Sequence, residues 1–198
     1  MNPLYSSGTY RDAWRFERPG ETEFVIKRMM MDDEYTHGLK DLTRIRNEAI
    51  IMERLSSSPR IVGIYGHCGT SVLMEAMVAD VHTKIMPTSG LISQDALDRI
   101  QINAVVPMNS YTAAQKFKIA LEMAEALADI HGFEGGPIIH CDTHIEQWLE
   151  ARDGSLKLND FNNAHISRWN PEKGEYCTKL GRYGGNVRST NLSLLVCF

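Results

Sequence analysis

The chain has 198 residues, of which 43% are hydrophobic and 23% are charged, so it can bury a core and is too apolar for a disordered chain. Its 21 basic and 25 acidic residues give a formal net charge of −4. The basic surplus that is typical of duplex-binding proteins is missing, and we therefore expect no nucleic-acid partner.

No apolar run approaches the roughly 20 residues that a membrane-spanning helix needs, and residues 1–5 lack the pattern of a signal peptide. The cysteines, Cys68, Cys141, Cys177 and Cys197, form no C-x-x-C pair. This spacing disfavours both a disulfide framework and a thiolate-rich zinc site. We expect a reduced intracellular compartment, with the cytoplasm as the default location.

The first third of the chain predicts strands and one helix. A β-favouring apolar run predicts a strand over residues 24–29. Apolar residues recur with a helical period over 39–55, which predicts a helix. Two further strands are predicted at 61–65 and 71–75.

The rest of the chain predicts helices followed by a hairpin. A short helix is expected near 94–102, and a longer one opens with a capping box at Thr112 and stops before Gly132. Two short strands flank Asp153-Gly154. This order indicates an α+β fold with a boundary between about residues 77 and 90. The apolar stripe expected to pack in the longer helix consists of Ala114, Phe117, Leu121, Ala124, Leu127 and Ala128.

Two ionisable residues fall on faces that are predicted to be buried. Lys27 shares a strand face with Val25 and Met29, and Glu48 is in phase with the apolar positions of its helix. Because unpaired buried charges cost several kcal/mol, Lys27 is expected to pair with Glu48, and its removal to leave Glu48 unpaired. The alternatives are a snorkelling lysine on an edge strand and a solvated glutamate beside Arg44.

The Asp153-Gly154 pair predicts a hairpin with a two-residue type I′ turn. In that register Gln147 faces Asp160 across strands about 4.5–5.5 Å apart, and Asp142 lies in the loop just before. Two carboxylates and an amide oxygen form the oxygen environment that suits Mg²⁺. The alternative is a polar loop in which Asp160 caps a turn.

Other candidates give weaker indications. The spacing of His140, Cys141 and His144 matches no zinc-ligand pattern, and nothing further defines an acyl-transfer site around a Cys141 nucleophile. His140 is interpreted as a packed loop residue that hydrogen-bonds the backbone. Residues 6–10, which include Gly8, are compatible with a phosphate-covering turn.

Taken in order, these segments resemble the protein kinase domain. Residues 24–27 resemble the family's Val-Ala-Ile-Lys strand, and Glu48 stands where a helix glutamate pairs with that lysine. Residues 72–77 resemble the strand that enters the hinge, with Met74 as the gatekeeper and the Met77 backbone facing the adenine.

The second half of the chain continues the resemblance. Residues 140–147 resemble the catalytic loop His-Arg-Asp-x-Lys-Pro-x-Asn, and residues 157–162 resemble the strand into Asp-Phe-Gly. The resemblance implies ATP and Mg²⁺ as cofactors. It assigns Asp142 and Lys27 to catalysis, Gly8, Lys27, Glu48, Glu75 and Met77 to cofactor binding, and Gln147 and Asp160 to the metal.

The chain departs from the family pattern at several positions. Only Gly8 remains of three glycines in the phosphate-covering loop. In and after the catalytic loop, the departures are Cys141 for arginine, His144 for lysine, Ile145 for proline, Gln147 for asparagine and Asn162 for glycine.

The resemblance implies a two-lobed fold, with a small β-rich N-lobe at 1–77 and a partial helical C-lobe at 78–198. Residues 184–189 resemble the approach to Ser-Pro-Glu, but Thr190-Asn191 follows. The chain is therefore expected to be truncated before the helices that complete the C-lobe. We expect the apolar run 192–198 and the longer helix to leave an exposed apolar surface that favours self-association.

The sequence is compatible with three functions. The first is an ATP-dependent protein kinase-like phosphotransferase that transfers the γ-phosphate to a protein hydroxyl, with serine/threonine favoured over tyrosine by Glu146-Gln147. The second is a pseudokinase-like nucleotide-binding or interaction module with little or no catalysis. The third is a fragment without independent function. The implied partner is a protein substrate or a regulatory protein.

Overall fold

The computed structural model describes residues 6–7, 11–17, 20, 22–30, 38–85 and 109–177. Its mixed content of strands and helices is that of an α+β fold. The strands are β1 (Ser6–Ser7), β2 (Arg11–Phe16), β3 (Phe24–Met29), β4 (Ile64–Cys68), β5 (Ser71–Glu75), β6 (Ala79–Asp80), β7 (Ile138–Ile139), β8 (Trp148–Glu150), β9 (Leu156–Leu158), β10 (His165–Ile166), β11 (Arg168–Asn170) and β12 (Glu175–Cys177). The helices are α1 (Leu39–Arg54), α2 (Val81–Ile85) and α3 (Ala113–His131), with 3₁₀ turns at Ile145–Gln147 and Phe161–Asn163.

Several sequence predictions lie outside the described residues. They are the role of Gly8, the short helix at 94–102, the segment at 184–189 and the apolar run at 192–198.

The first half forms a five-stranded antiparallel sheet in the order β1-β2-β3-β5-β4. Strand β3 pairs with β2 on one side and with β5 on the other, so the edge-strand alternative for Lys27 is wrong. The predicted strands at 24–29 and 71–75 are confirmed. The one predicted at 61–65 is shifted, because β4 begins at Ile64 and Ile61 instead bridges to Leu158 in the second half.

Helix α1 confirms the predicted helix and ends with Leu55 as its C-cap. Ile45 and Ala49 are buried with Met29 and Val72 against the sheet. Farther along the helix, Met52 joins the larger core that spans both halves of the described chain. The helix thus packs against both halves, and its buried face carries Glu48 between the apolar residues.

The second half combines helix α3 with short antiparallel sheets. Strand β8 lies between β6 and β9, β7 pairs with β10, and β11 pairs with β12. Its core includes Ile130, Ile138, Trp148, Leu158 and Phe161, each at most 3% exposed. Strand β6 follows the five-stranded sheet and already pairs with β8. The division of the chain into lobes at residue 77 stays a prediction.

The hairpin is present, but its predicted register is wrong by one residue. Trp148 pairs with Leu158, and the loop closes with the Gly154 amide donating to the Ala151 carbonyl at 3.0 Å. Of the two turn residues only Gly154 has a positive φ, of 77°, which is typical of a three-residue loop with a bulge rather than a type I′ turn.

The cause of this different loop is local hydrogen bonding. The Asp153 carboxylate accepts from the Ser155 amide at 2.9 Å and from its hydroxyl at 2.6 Å, which favours a right-handed turn at Asp153. As a result Gln147 lies opposite Asn159, whose amide donates to the Gln147 carbonyl at 2.9 Å. The expected pairing of Gln147 with Asp160 across the hairpin is therefore wrong.

Helix α3 has the predicted capping box, in which the Thr112 hydroxyl accepts from the Gln115 amide. The predicted packing stripe is confirmed only at Leu127, which packs against the core; elsewhere it is wrong, because Phe117 is 72% exposed and Leu121 is 48% exposed. The buried positions are instead Glu122, Ala126 and Ile130.

A buried acidic residue explains why the other face of α3 packs. Glu122 accepts from the Arg60 guanidinium at 3.2 Å and from the Leu156 amide at 3.2 Å. Paired in this way, a carboxylate is tolerated inside a core. A prediction from apolar residues alone treats Glu122 as exposed, and it therefore places the buried face on the wrong side of α3.

The described surface carries several exposed large apolar side chains, including Phe117 and Leu121 on α3 and Trp169 on β11. This agrees with the expected apolar surface on the second half; self-association stays a prediction. No helix in the described ranges is long and apolar enough to cross a membrane.

The turn that leads into β7 depends on Gly136. Its φ is 113°, and a Cβ there would lie 2.2 Å from the Ser167 carbonyl oxygen. Gly69 also has a positive φ, of 56°, but a Cβ there would meet nothing within 4 Å.

Gly69→Ala should therefore cost about 1 kcal/mol of unfolding free energy. Gly136→Ala should cost clearly more, because the backbone around Ser167 must also move. Chemical denaturation of both variants tests this, and equal losses would contradict it.

Candidate functional site

A cleft of about 950 Å³ lies between the five-stranded sheet and the second half of the described chain. Lys27, Asp142, Gln147 and Asp160 all line it. Gln147 and Asp160 thus do not pair across the hairpin, but both residues line the same cleft.

Lys27 lies at a meeting point of both halves of the described chain. Its Nζ is 3.4 Å from Glu48 Oε1, 3.4 Å from Asn159 Oδ1 and 3.5 Å from Asp160 Oδ1. The expected contact with Glu48 is thus present. The ammonium group also reaches two polar residues that follow β9, so it connects the sheet with the opposite side of the cleft.

Glu48 has a second and closer cation. Its side chain is 0% exposed, and its Oε2 accepts a hydrogen bond from Nη1 of Arg11, which is 7% exposed. The alternative of a solvated Glu48 is wrong. The expectation that loss of Lys27 would leave Glu48 unpaired is also wrong, because Arg11 remains.

Asp160 stands in a special backbone conformation at the end of β9. Its φ is 63°, and Cys141 has a φ of 61°; in the described residues these are the two non-glycine positions with positive φ. Asn162 Nδ2 donates to Asp160 Oδ1 at 2.8 Å. Left-handed backbone at a non-glycine residue is often found at functional sites.

The charges around Asp160 keep it ionised. Burial raises the pKa of Asp160, but the neighbouring Lys27 and Arg11 cations, together with His140, outweigh burial and hold that pKa below its ordinary value. The carboxylate therefore carries its negative charge throughout the neutral pH range.

Asp142 and Gln147 both contact His144. His144 Nε2 is 3.4 Å from Asp142 Oδ1 and 3.0 Å from Gln147 Nε2. Asn163 Nδ2 donates to Asp142 Oδ2 at 3.3 Å. The imidazole thus lies between the two groups that the resemblance assigns to base and metal ligand, where the family pattern has a lysine.

His140 is a buried loop residue, as the sequence predicts. It is 1% exposed, and its Nε2 hydrogen bonds to the Asn159 carbonyl at 2.8 Å. Its ring packs edge-on against Phe161, with the ring centroids 4.7 Å apart. His140 therefore joins the loop that carries Asp142 to the segment that carries Asp160.

The side of the cleft next to β5 carries apolar groups and ordered polar contacts. The Met77 carbonyl accepts from Arg15 Nη1 at 2.9 Å. Glu75 Oε1 accepts from the Gly63 amide and from Lys157 Nζ, each at 2.6 Å. Both predicted cofactor-binding residues line the cleft, but the Glu75 carboxylate is engaged in holding its neighbours. The apolar residues that line the cleft include Val25, Val62, Met74, Met77 and Leu149.

Sequence reasoning missed Arg11 and Arg15. Both point to the cleft from β2, a strand that lacks the apolar alternation by which strands are found. The one available signal is two basic residues four apart just after Gly8. That signal does not identify Glu48 as the partner of Arg11, because the two residues lie 37 positions apart in the sequence.

Within the described residues, the cleft offers oxygen ligands for a cation but no set of side chains that would hold one alone. No group of three or more His, Cys, Asp or Glu side chains within the described ranges could hold a metal ion by itself. Asp160 and Gln147 offer a carboxylate and an amide, which are the few protein oxygens that Mg²⁺ uses when phosphates complete its coordination.

Comparison with known proteins gives a distant similarity. The chain is 30% identical over 149 residues to the protein kinase domain-containing protein ppk38 of Schizosaccharomyces pombe, an alignment that covers 74% of this chain and 21% of that protein. The chain thus spans about a fifth of the relative it matches. No family model matches the sequence. The similarity suggests a kinase-like chain.

The free energy of unfolding of the protein should depend on pH through His140. Burial lowers the pKa of His140, and its hydrogen bond to Asn159 and the charges of Asp160 and Asp142 only partly oppose this. The unfolded chain therefore takes up a proton near pH 6.5 that the folded chain does not yet accept. The free energy of unfolding should fall as the pH drops from 7 through 6.5 to the lowered pKa, by at most about 1.4 kcal/mol per pH unit for one proton.

His140→Gln, which cannot take up this proton, should flatten that dependence in denaturation curves between pH 7 and 5. Burial also lowers the pKa of His131, so the double variant with His131→Gln should flatten it further. A parental slope in His140→Gln would contradict the assignment.

Proposed function

We propose that this chain is an ATP-dependent, protein kinase-like phosphotransferase that acts on a protein hydroxyl. The observation that carries the proposal is the position of the Lys27 ammonium, 3.4–3.5 Å from oxygens of Glu48, Asn159 and Asp160. One cation joined to a helix carboxylate and to the opposite wall of the cleft is an arrangement suited to phosphate binding. The distant similarity to a kinase domain-containing protein supports the same conclusion.

The nucleotide would lie with its base toward β5 and its phosphates toward Lys27. The apolar lining near Met74 and Met77 suits a flat heterocycle. Lys27 lies on β3, two positions past Val25 on the same strand face, so an extended ligand can contact both. Glu48 would keep the ammonium group pointed at the phosphates.

Asp160 and Gln147 would hold Mg²⁺ together with phosphate oxygens. When bound, the cation would neutralise charge on the transferred phosphoryl group. Asp160 is suited to this because its carboxylate stays ionised and is 22% exposed on the cleft wall. Gln147 would contribute its amide oxygen if the amide nitrogen keeps its contact with His144.

Asp142 would orient the acceptor hydroxyl and accept its hydrogen bond. The side chain is 33% exposed in the cleft and within 3.4 Å of His144. Favouring serine and threonine over tyrosine as acceptors rests on the resemblance of Glu146-Gln147 to the end of the family's catalytic loop.

A second candidate is a nucleotide-binding module without transfer. Both carboxylates are engaged by amides, because Asn163 donates to Asp142 and Asn162 donates to Asp160. These contacts weaken both groups as acceptors for substrate or metal. A regulatory protein partner would replace the protein substrate in this case.

Lys27→Met should lower ATP affinity roughly tenfold to a hundredfold, because it removes a charge-assisted contact to phosphate. It should change stability little, because Arg11 still pairs with Glu48. Glu48→Gln should destabilise the protein more, since two cations lose a buried partner. Calorimetric titration with ATP and thermal melts measure both effects. Unchanged ATP affinity in a folded Lys27→Met variant would refute the assignment.

Asp142→Asn and Asp160→Asn should separate transfer from binding. Asp160→Asn should abolish the Mg²⁺ dependence of ATP binding, whereas Asp142→Asn should leave binding intact and remove phosphate transfer. Transfer is measured with labelled ATP and a generic protein substrate. Glu134→Gln, at an exposed position outside the cleft, is the matched control and should behave as the parent. ATP binding by the parent without any transfer would favour the second candidate.

A further inference from the structure

Arg11 carries more hydrogen-bond donors than the described part of the protein uses. Its side chain is 7% exposed, and Nη1 donates to Glu48 Oε2. Its Nε and Nη2 atoms are buried and have no hydrogen-bond partner among the described residues. Every nitrogen of a guanidinium group is a hydrogen-bond donor and none is an acceptor, so these atoms can be satisfied only by acceptors.

Unused buried donors of this kind are unfavourable. Leaving one buried polar group unsatisfied costs about 1–3 kcal/mol, and more when the group is charged. Nε and Nη2 also lie on the same edge of the planar group. That edge forms paired hydrogen bonds with two oxygens of a carboxylate or a phosphate.

The guanidinium edge without hydrogen-bond partners belongs to a residue that lines the cleft. Arg11, Ala13 and Arg15 alternate along β2 and all line the cleft. Ala13 pairs with Lys27 of β3, and Arg11 lies two residue pairs farther along, opposite Met29. Arg11 and Lys27 also share Glu48. Two cations therefore stand side by side at the end of the cleft that contacts α1.

We infer that Arg11 is a second oxyanion-binding residue, which takes a phosphate group of the ligand on its Nε and Nη2 edge beside Lys27. Glu48 holds the guanidinium in place through Nη1. The identity of that phosphate as part of ATP rests on the proposed function. Binding of an oxyanion by Arg11 can be tested separately.

The test uses Arg11→Lys, which keeps a cation for Glu48 but loses the paired edge, and Arg11→Met, which loses both. Arg28→Lys and Arg28→Met are the matched controls, because Arg28 is exposed on β3 and lies over the Trp14 ring. Affinities for ATP, adenosine and inorganic tripolyphosphate are measured by calorimetry on the full chain. Circular dichroism melts confirm that each variant is folded.

We expect both Arg11 variants to lose about tenfold to a hundredfold in affinity for ATP and tripolyphosphate, with adenosine affinity unchanged. The Arg28 variants should bind like the parent. Parental ATP and tripolyphosphate affinity in Arg11→Lys, or an equal loss for adenosine, overturns the inference and leaves Arg11 a structural partner of Glu48.

The same experiment distinguishes the two proposals. If the parent binds tripolyphosphate but not ATP and the Arg11 variants lose that binding, Arg11 is an oxyanion-binding residue and the proposed function is wrong. If the parent binds neither probe, both proposals are wrong.

Discussion

The architecture of the cleft depends on one buried carboxylate. Glu48 is 0% exposed, and an ionised group in that position is tolerable only with partners of opposite charge. Lys27 from β3 and Arg11 from β2 supply those partners. Helix α1 is thereby tied to two strands by charge as well as by apolar packing, and it also contacts the turn Phe161–Asn163 that follows Asp160. The positions of both walls of the cleft are thus coupled through the helix that carries Glu48.

Local patterns in the sequence predicted much of this arrangement. The helical period around Glu48 and the alternation around Lys27 gave the correct faces, because apolar neighbours in those elements are buried. The predictions failed where a polar contact between distant residues decides the structure. Glu122 is buried through Arg60 and the Leu156 amide, and such partners leave no periodic signal. The hairpin register changed because Asp153 bonds Ser155, a contact that a dipeptide rule does not consider.

The cleft differs chemically along its length. At one end two cations surround a buried carboxylate, and at the other His144 stands between Asp142 and Gln147. Between them Asp160 contacts both Lys27 and Asn162. In the proposed function, the cations lie where phosphates would bind, and His144 lies where an acceptor would approach. The chain departs from the kinase catalytic-loop pattern at the His144 end, with His144 and Gln147, and agrees with the kinase pattern at the other end, with Lys27 and Glu48.

The long span of chain between Lys27 and its partners also bears on how the protein folds. Lys27 lies 132 residues from Asn159 and 133 from Asp160, whereas the sheet and α1 are built from the first 75 residues. Closing a loop of this size is entropically costly and slows folding. Arg11, Lys27 and Glu48, by contrast, all lie within the first 48 residues. Their ion pairs can therefore tie α1 to the sheet without the opposite wall of the cleft.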